Sequence, residues 1–343
     1  MTGPPPGYRA PARAQEQAPA GAARVVLVGT PGPLRSAVAR YLRSRATSVA
    51  CLDAPGHLTH AFGPGGGRRR TPRSARSGAA RGPAGEVGGL PGVRLEGAAV
   101  VFVAVPRPPG LALRLRHRYR PGALRAGFEQ AALVARHRGA ARVVAVSTVF
   151  CSGGEPKPAA GVGGPGAPGW PGDLGGPGEP SAEIAAAASA ERGAHRFAGL
   201  GGDAVILRLG WAYGAEDGLT RRVLAAAGRG WRLIDGDPGD WLSMIAESDA
   251  ARAVLPALSV PPGRYDVTDG CPVTQAAVNA SLAAAAGIDL YPLDDPHWGR
   301  RGILFGRSRR VTGRAFGDLT GWQPEVTRAP EQLARMLVRP ARR

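Results

Sequence analysis

The amino-acid sequence predicts an α/β protein: a doubly wound parallel sheet with a small C-terminal α/β lobe set over one edge. Three observations carry that prediction. Short apolar runs rich in β-branched residues recur along the chain, at Arg24–Val28, Ala98–Val105 and Arg142–Val146. Segments of helical period separate them. None of the runs alternates with polar residues, which marks strands buried on both faces. Strands alternating with helices form a parallel sheet, and right-handed crossovers bring the strand C-termini to one edge, where ligands of such sheets bind.

The elements follow in order. Residues 1–23, rich in Pro and Ala, read as a disordered arm. Arg24-Val25-Val26-Leu27-Val28 stops at Gly29, and Leu34, Ala37, Val38, Tyr41 and Leu42 then repeat at helical spacing. Ser48–Leu52 makes a second strand ending at Asp53. Residues 61–92 hold Gly, Pro and Arg with little apolar content and read as a flexible insertion. After the strand Ala98–Val105, a helix is predicted from about Gly122 to Arg138, with Leu124, Phe128, Ala131, Ala132 and Val134 on one face. Arg142–Val146 follows and ends at Ser147-Thr148. Gly and Pro make up 18 of the 29 residues from Ser152 to Pro180, which argues against regular structure and gives a second insertion, 152–180. Residues 182–197 are Ala-rich and helical, Ala204–Leu207 is a strand, and a turn at Tyr213-Gly214 closes a domain spanning 24–215. Residues 216–338 make the small lobe together with elements returning to the sheet. Helices are predicted there near 218–228, 247–258, 273–286 and 328–338, with a strand at Arg264–Val267. A basic tail, 339–343, ends the chain.

Composition narrows the classes of function. The net charge of +18 invites a nucleic-acid partner. Yet Lys157 is the only lysine among the 44 basic residues, a skew that fits a GC-biased genome better than a selected basic face. The arginines gather at Arg68–Arg81 and Arg300–Arg343 with no interleaved aromatic platform, so specific nucleic-acid binding is not expected. The longest apolar stretches, Val25–Val28 and Ala98–Pro106, fall far short of the about 20 residues of a membrane span. The first 23 residues lack the apolar core of a secretory signal. Cys51, Cys151 and Cys271 lie far apart and form no CxxC pair, which fits free thiols in a reducing compartment. A soluble, cytoplasmic protein is the expectation. No metal-ligand spacing and no Gly-x-Ser-x-Gly elbow occurs.

The segment with chemical content is Gly29-Thr30-Pro31-Gly32-Pro33-Leu34-Arg35, between the first strand and the first helix. Glycines there let the backbone turn tightly and approach a pyrophosphate, whose charge the helix N-terminus stabilises. Asp53, at the end of the second strand, stands where a carboxylate can bind a ribose 2′-hydroxyl. Further segments follow in sequence: Leu95–Phe102, Arg142–Thr148, Leu207-Arg208-Leu209-Gly210-Trp211-Ala212-Tyr213-Gly214, Asp249 at a helix start, Tyr265-Asp266-Val267, and Gly321-Trp322-Gln323-Pro324. Over roughly residues 24–338, this series resembles the extended short-chain dehydrogenase/reductase family, in particular its NAD-dependent epimerase/dehydratase branch. The resemblance implies a Rossmann domain that binds NAD or NADP, a C-terminal substrate lobe, a small-molecule substrate of unknown identity, and, by analogy, a homodimer formed through helices beside the sheet. The cofactor-binding set it implies is Gly29, Thr30, Gly32, Leu34, Arg35, Asp53 and Val105, and Thr148 takes the position of the family's catalytic Ser or Thr.

The departures from the family pattern bear on activity. Arg35 replaces the third glycine of the loop, where its side chain would either clash with a pyrophosphate or pair with a phosphate. No Asp occurs between Asp53 and Asp173, so the family's adenine-contacting aspartate is missing, and the only asparagine is Asn279 in the lobe. The family's Tyr-x-x-x-Lys couple, in which the lysine lowers the tyrosine pKa, is absent, because Lys157 has Gly153 four residues before it. If Glu191 matches the glutamate common later on that helix, Glu183 and Ala187 stand at the tyrosine and lysine positions. Glu183 and Tyr213 are then the further catalytic candidates beside Thr148, although Glu183 also fits a dipole-favoured acid after an N-cap at Ser181. His195 is expected at the surface. Arg114–Arg120 reads as an anion clamp or, more simply, as a solvated charge run. The favoured reading is an NAD(P)-binding protein of this type with a degenerate catalytic site, non-catalytic or regulatory. One alternative is an NAD(P)H-dependent ketoreductase or epimerase-like enzyme that takes its proton from water or substrate. The other is an arginine-driven anion or nucleic-acid binder.

Overall fold

The computed structural model describes residues 24–29, 32–45, 47–53, 95–103, 121–151, 182–234, 237–292 and 308–338. The arm 1–23, both insertions, the Arg114–Arg120 run and the tail 339–343 lie outside them. In the first half of the chain strands and helices alternate: β1 (Arg24–Gly29), α1 (Pro33–Ser44), β2 (Ser48–Asp53), β3 (Ala99–Val103), α2 (Pro121–His137), β4 (Arg142–Thr148), α3 (Ala182–Gly199) and β5 (Asp203–Leu209). The second half holds β6 (Trp211–Tyr213), α4 (Gly218–Ala227), β7 (Trp231–Arg232), β8 (Trp241–Leu242), β9 (Met244–Ala246), α5 (Glu247–Ala257), β10 (Gly263–Val267), β11 (Val273–Thr274), α6 (Gln275–Ala286), β12 (Tyr291–Pro292), α7 (Arg314–Thr320) and α8 (Ala329–Val338).

Six strands form one sheet in the order β2-β1-β3-β4-β5-β10, every neighbouring pair parallel. The central strands β1, β3 and β4 are apolar on both faces over their buried runs because helices cover both. Val25, Leu27, Val101, Val103, Val144 and Val146 share a core with α1 and α5. Val26, Val28, Val100, Phe102, Val143 and Ala145 point the other way, onto α2 and α3. Each such side chain, wholly buried, contributes about 1.5–3 kcal/mol, which is why no polar residue interrupts Val25–Val28, Val100–Val103 or Val143–Val146. On α3 the apolar face must come close to α2, and Gly193 allows it: a Cβ there would sit 2.7 Å from the Phe128 carbonyl oxygen. The contact offsets the cost of about 1 kcal/mol that a glycine carries in a helix interior.

From β1 the chain crosses to β2 on one side and then to β3 on the other, so the order reverses between β1 and β3. The C-terminal ends of that pair define the crevice of a doubly wound sheet. The returning elements are shared between two places. β10 joins the sheet as its far edge beside β5, and α5 packs on α1. The remaining elements build a second core, in which Val223, Leu233, Leu242, Met244, Val278 and Leu333 meet. There Asp217 caps α4 by accepting from Thr220 N at 2.7 Å, and Thr274 caps α6 by accepting from Ala277 N at 3.2 Å. Three two-stranded pairings complete the lobe, β6 with β9, β8 with β11 and β7 with β12. Tyr213, predicted in a turn, is the last residue of β6: pairing with Ala246 of β9 extends the chain where sequence shows only an isolated aromatic before glycine.

Candidate functional site

At the switch point Gly29 ends β1 directly opposite Val103, the last residue of β3. A Cβ on Gly29 would run into the Val103 carbonyl, so any side chain would push the two strand ends apart. Asp53 ends β2 in register with Gly29. Gly32 caps α1 in an extended conformation without a side-chain acceptor, and the first turn of that helix carries no acidic residue. The backbone N–H groups of the turn and the positive end of the helix dipole therefore meet no carboxylate of their own helix, an arrangement suited to an anion. Pro33 starts the helix at a position where a missing N–H costs nothing.

Arg35 acts in a way the sequence left open between two alternatives. Its Nη1 donates to the Gly29 carbonyl at 2.5 Å and to the Leu52 carbonyl at 3.0 Å, tying α1 to the ends of β1 and β2. The guanidinium thus brings a positive charge to the strand ends beside Gly29. Leu34 is 5% exposed and belongs to the core under α1. Thr30 and Val105 lie outside the described residues.

The other side of the switch point is built differently. Thr148 ends β4, partly buried, and its Oγ1 accepts from Phe150 N at 3.4 Å. A single 3-10 turn, Val149–Cys151, follows and is wholly buried. Ile184, Ala187 and Ala188 of α3 pack in one apolar cluster with Val149, Phe150, Trp211 and Tyr213. Ala187, at the position the resemblance assigns to lysine, is 1% exposed. Glu183 lies in the first turn of α3.

Beneath this cluster runs a buried polar network that sequence reasoning used only as a landmark. Ser147 Oγ donates to Glu191 Oε1 at 2.5 Å, and Arg208 grips both oxygens, Nε to Oε1 at 2.8 Å and Nη2 to Oε2 at 2.7 Å. Burial works against the Arg208 charge, but the hydrogen bonds and charge of Glu191 outweigh it and hold the guanidinium above its ordinary pKa. The signal available in the sequence was a pair of opposite charges, each in an otherwise apolar segment.

Burial displaces three neighbouring titratable groups from their ordinary values. Burial, with the Glu191 charge, pushes the Cys151 thiol up to about 12. Burial pushes His195 down to about 4, and it is half-buried on α3 instead of surface-exposed, because the helix is covered at that turn. Burial, then the charge of Asp269, raises Tyr213, which is 1% exposed in the lobe core. No group of three or more His, Cys, Asp or Glu residues among the described residues can hold a metal ion, and no described helix is long and apolar enough to cross a membrane.

Tested against a dinucleotide, which in doubly wound sheets spans the switch point, the two halves of the crevice differ. Gly29, Gly32 and the position of Asp53 fit the adenosine half and its diphosphate. On the described β4 and α3 side lie packed apolar groups together with the Tyr213 hydroxyl, buried without a hydrogen-bond partner among the described residues.

No family model matches the chain, and no curated protein matches it in sequence. Solved structures do match. The UDP-glucose 4-epimerase of Thermus thermophilus, in complex with NAD, is 19% identical with a TM-score of 0.57, over 92% of this chain and 98% of that one. RMD from Pseudomonas aeruginosa, complexed with NADPH, is 17% identical with a TM-score of 0.57, over 92% and 97%. The human epimerase family protein SDR39U1 with NADPH is 17% identical with a TM-score of 0.56, over 91% and 99%. The chain therefore shares an α/β Rossmann fold with these structures, across nearly the whole length of each.

Proposed function

We propose that this protein binds a nicotinamide dinucleotide, NAD or NADP, across the β1–β3 switch point and does not perform the proton-relay chemistry of its structural neighbours. It serves instead as a non-catalytic or regulatory dinucleotide-binding protein. The observation that carries the reading is the register of Gly29 and Asp53 at adjoining strand ends, beside a helix N-terminus without a capping side chain. Such an end holds a diphosphate by backbone N–H groups while a carboxylate takes the ribose. The neighbours complexed with NAD and NADPH support the class of ligand. The loss of chemistry is supported by the sequence, which has no Tyr-x-x-x-Lys. The upward-shifted Tyr213 and Cys151 also support it, since burial holds both protonated near neutral pH.

Calorimetric titration of the purified protein with NAD⁺, NADH, NADP⁺ and NADPH tests the reading. Binding of at least one is expected, weakened about tenfold (about 1.4 kcal/mol) by Asp53→Ala. No binding of any would overturn it. Dinucleotide-dependent turnover of a carbonyl substrate would overturn its non-catalytic part.

A further inference from the structure

We infer that an exposed aromatic pair in the second half of the chain, Trp231 with Tyr291, forms with the arginines beside it a binding surface for single-stranded nucleic acid. It stands independently of the dinucleotide reading, since none of its residues belongs to β1, β2, β3 or α1. Sequence shows no aromatic platform because the two rings lie far apart in the chain; the fold brings them together. β12 runs parallel to β7 with Tyr291 as the direct partner of Trp231, which sets both side chains on one face, on strands about 4.8 Å apart. Gly230 makes the turn that allows it, at φ 81° in the left-handed region that favours glycine, and its carbonyl accepts from Tyr291 N at 2.8 Å. Trp231 is 42% exposed, Tyr291 62% and the adjoining Ile288 45%. Large apolar groups left together in water mark an interaction surface.

The charge around the pair selects the partner. Arg221 and Arg222 stand on the exposed side of α4, which packs against β7. Arg229 lies between that helix and Trp231, exposed, with its Nη1 on the Ala225 carbonyl at 3.1 Å, and Arg232 follows Trp231 directly. Across residues 218–232 and 287–292 these four arginines are set against a single acid, Asp289. A neutral sugar would use the rings and leave the charges idle. A second copy of this chain would bring like charges together. Single-stranded nucleic acid uses both features: unpaired bases stack on exposed rings whatever their sequence, and the phosphates between them meet the arginines. Rings on adjoining strands are suited to successive bases, as in other sheets that bind single strands.

The test is fluorescence anisotropy of a labelled oligothymidylate of about 12 nucleotides, titrated with the full chain, beside a DNA duplex of the same length. The single strand is expected to bind. Trp231→Ala and Tyr291→Ala should each weaken it at least about fivefold, the effect of one lost base stack, while Trp231→Phe, which keeps a ring, should stay within about threefold of the native chain. Duplex binding should be indifferent to all three changes, because paired bases cannot reach the rings. Arg222→Ala and Arg229→Ala should each flatten the slope of log affinity against log salt concentration by about 0.7. Single-strand binding undiminished in both alanine variants would put the strand on arginines elsewhere in the chain. A phenylalanine variant as weak as the alanine one, or a duplex weakened by the same factor, would mean that no stacking is lost. Each of these results overturns the inference, as does an absence of binding to the single strand.

Discussion

Glu191 and Arg208 are each almost wholly buried, and each depends on the other. An isolated charge in that position would be too costly to keep, and the bidentate pair, with Ser147 as a third donor, leaves neither Glu191 oxygen without a donor. Removing one partner is therefore worse than losing a contact. Glu191→Ala leaves the guanidinium buried without its counter-charge and should destabilise the fold by about 3–5 kcal/mol in urea unfolding. A loss below about 1 kcal/mol would mean that water reaches Arg208 and that the network is not sealed. The pair was readable in outline, as an arginine inside Val-Ile-Leu-Arg-Leu and a glutamate inside an alanine-rich helix. What the sequence withheld was their distance, because 17 residues and a strand crossing separate them. Arg35 was the reverse case. Its position at a missing glycine was obvious, but the direction of its side chain is set by two strand-end carbonyls that no motif records.

At the scale of elements, the start of α5 carries a carboxylate in an unusual state. Burial, with Asp217 and Glu216 nearby and only Arg40 opposing, pushes Glu247 up to about 7 from an ordinary 4.5. Asp269, raised by burial and opposed by its bond from Cys271 N, rises to about 6 from 3.8. Both groups bind more protons folded than unfolded across those intervals, so each makes stability fall as pH rises through them. His195 works the other way: held at about 4 against 6.5, it makes stability rise with pH up to about 6.5. Above that pH, of these three groups only Glu247 still titrates substantially. Glu247→Gln should accordingly raise the melting temperature at pH 8 and change it little at pH 4.5. Equal shifts at both pH values would show that the carboxylate is ionised throughout. The long elements on which such groups sit were legible because hydrophobic period needs several residues to declare itself. β7, β8, β11 and β12, of two residues each, have no period and exist only through their partners. For the same reason β10 read as part of the lobe, whereas its pairing with β5 makes it the sheet's edge.

Among the described residues, the sheet core and the second core are joined by the last described segment, and Asp249 is one of the residues that fasten it. Sitting in the first turn of α5, wholly buried, it accepts from Glu325 N at 3.1 Å and Val326 N at 2.9 Å, and it pairs with Arg252 at 3.0 Å. That fixes the stretch before α8. Just upstream, Trp322 packs edge-on against Phe316, and Phe316 against Tyr265 of β10, each at 5.8 Å, which carries the same segment back to the sheet. Ser243 makes a second attachment, donating to the Arg309 carbonyl at 2.8 Å and accepting from Val311 N at 2.8 Å. Because only a few such bonds, joining residues 66 to 77 positions apart, hold this segment, it should open on its own before the sheet unfolds. Asp249→Asn keeps the volume but turns one acceptor into a donor and removes the charge facing Arg252. Amide hydrogen exchange should then accelerate about tenfold or more in residues 325–338, while the amides of β1, β3 and β4 keep their native protection. If the strand amides accelerate by the same factor, the segment and the sheet open as one cooperative unit, and the carboxylate contributes to global stability instead of holding a separable flap.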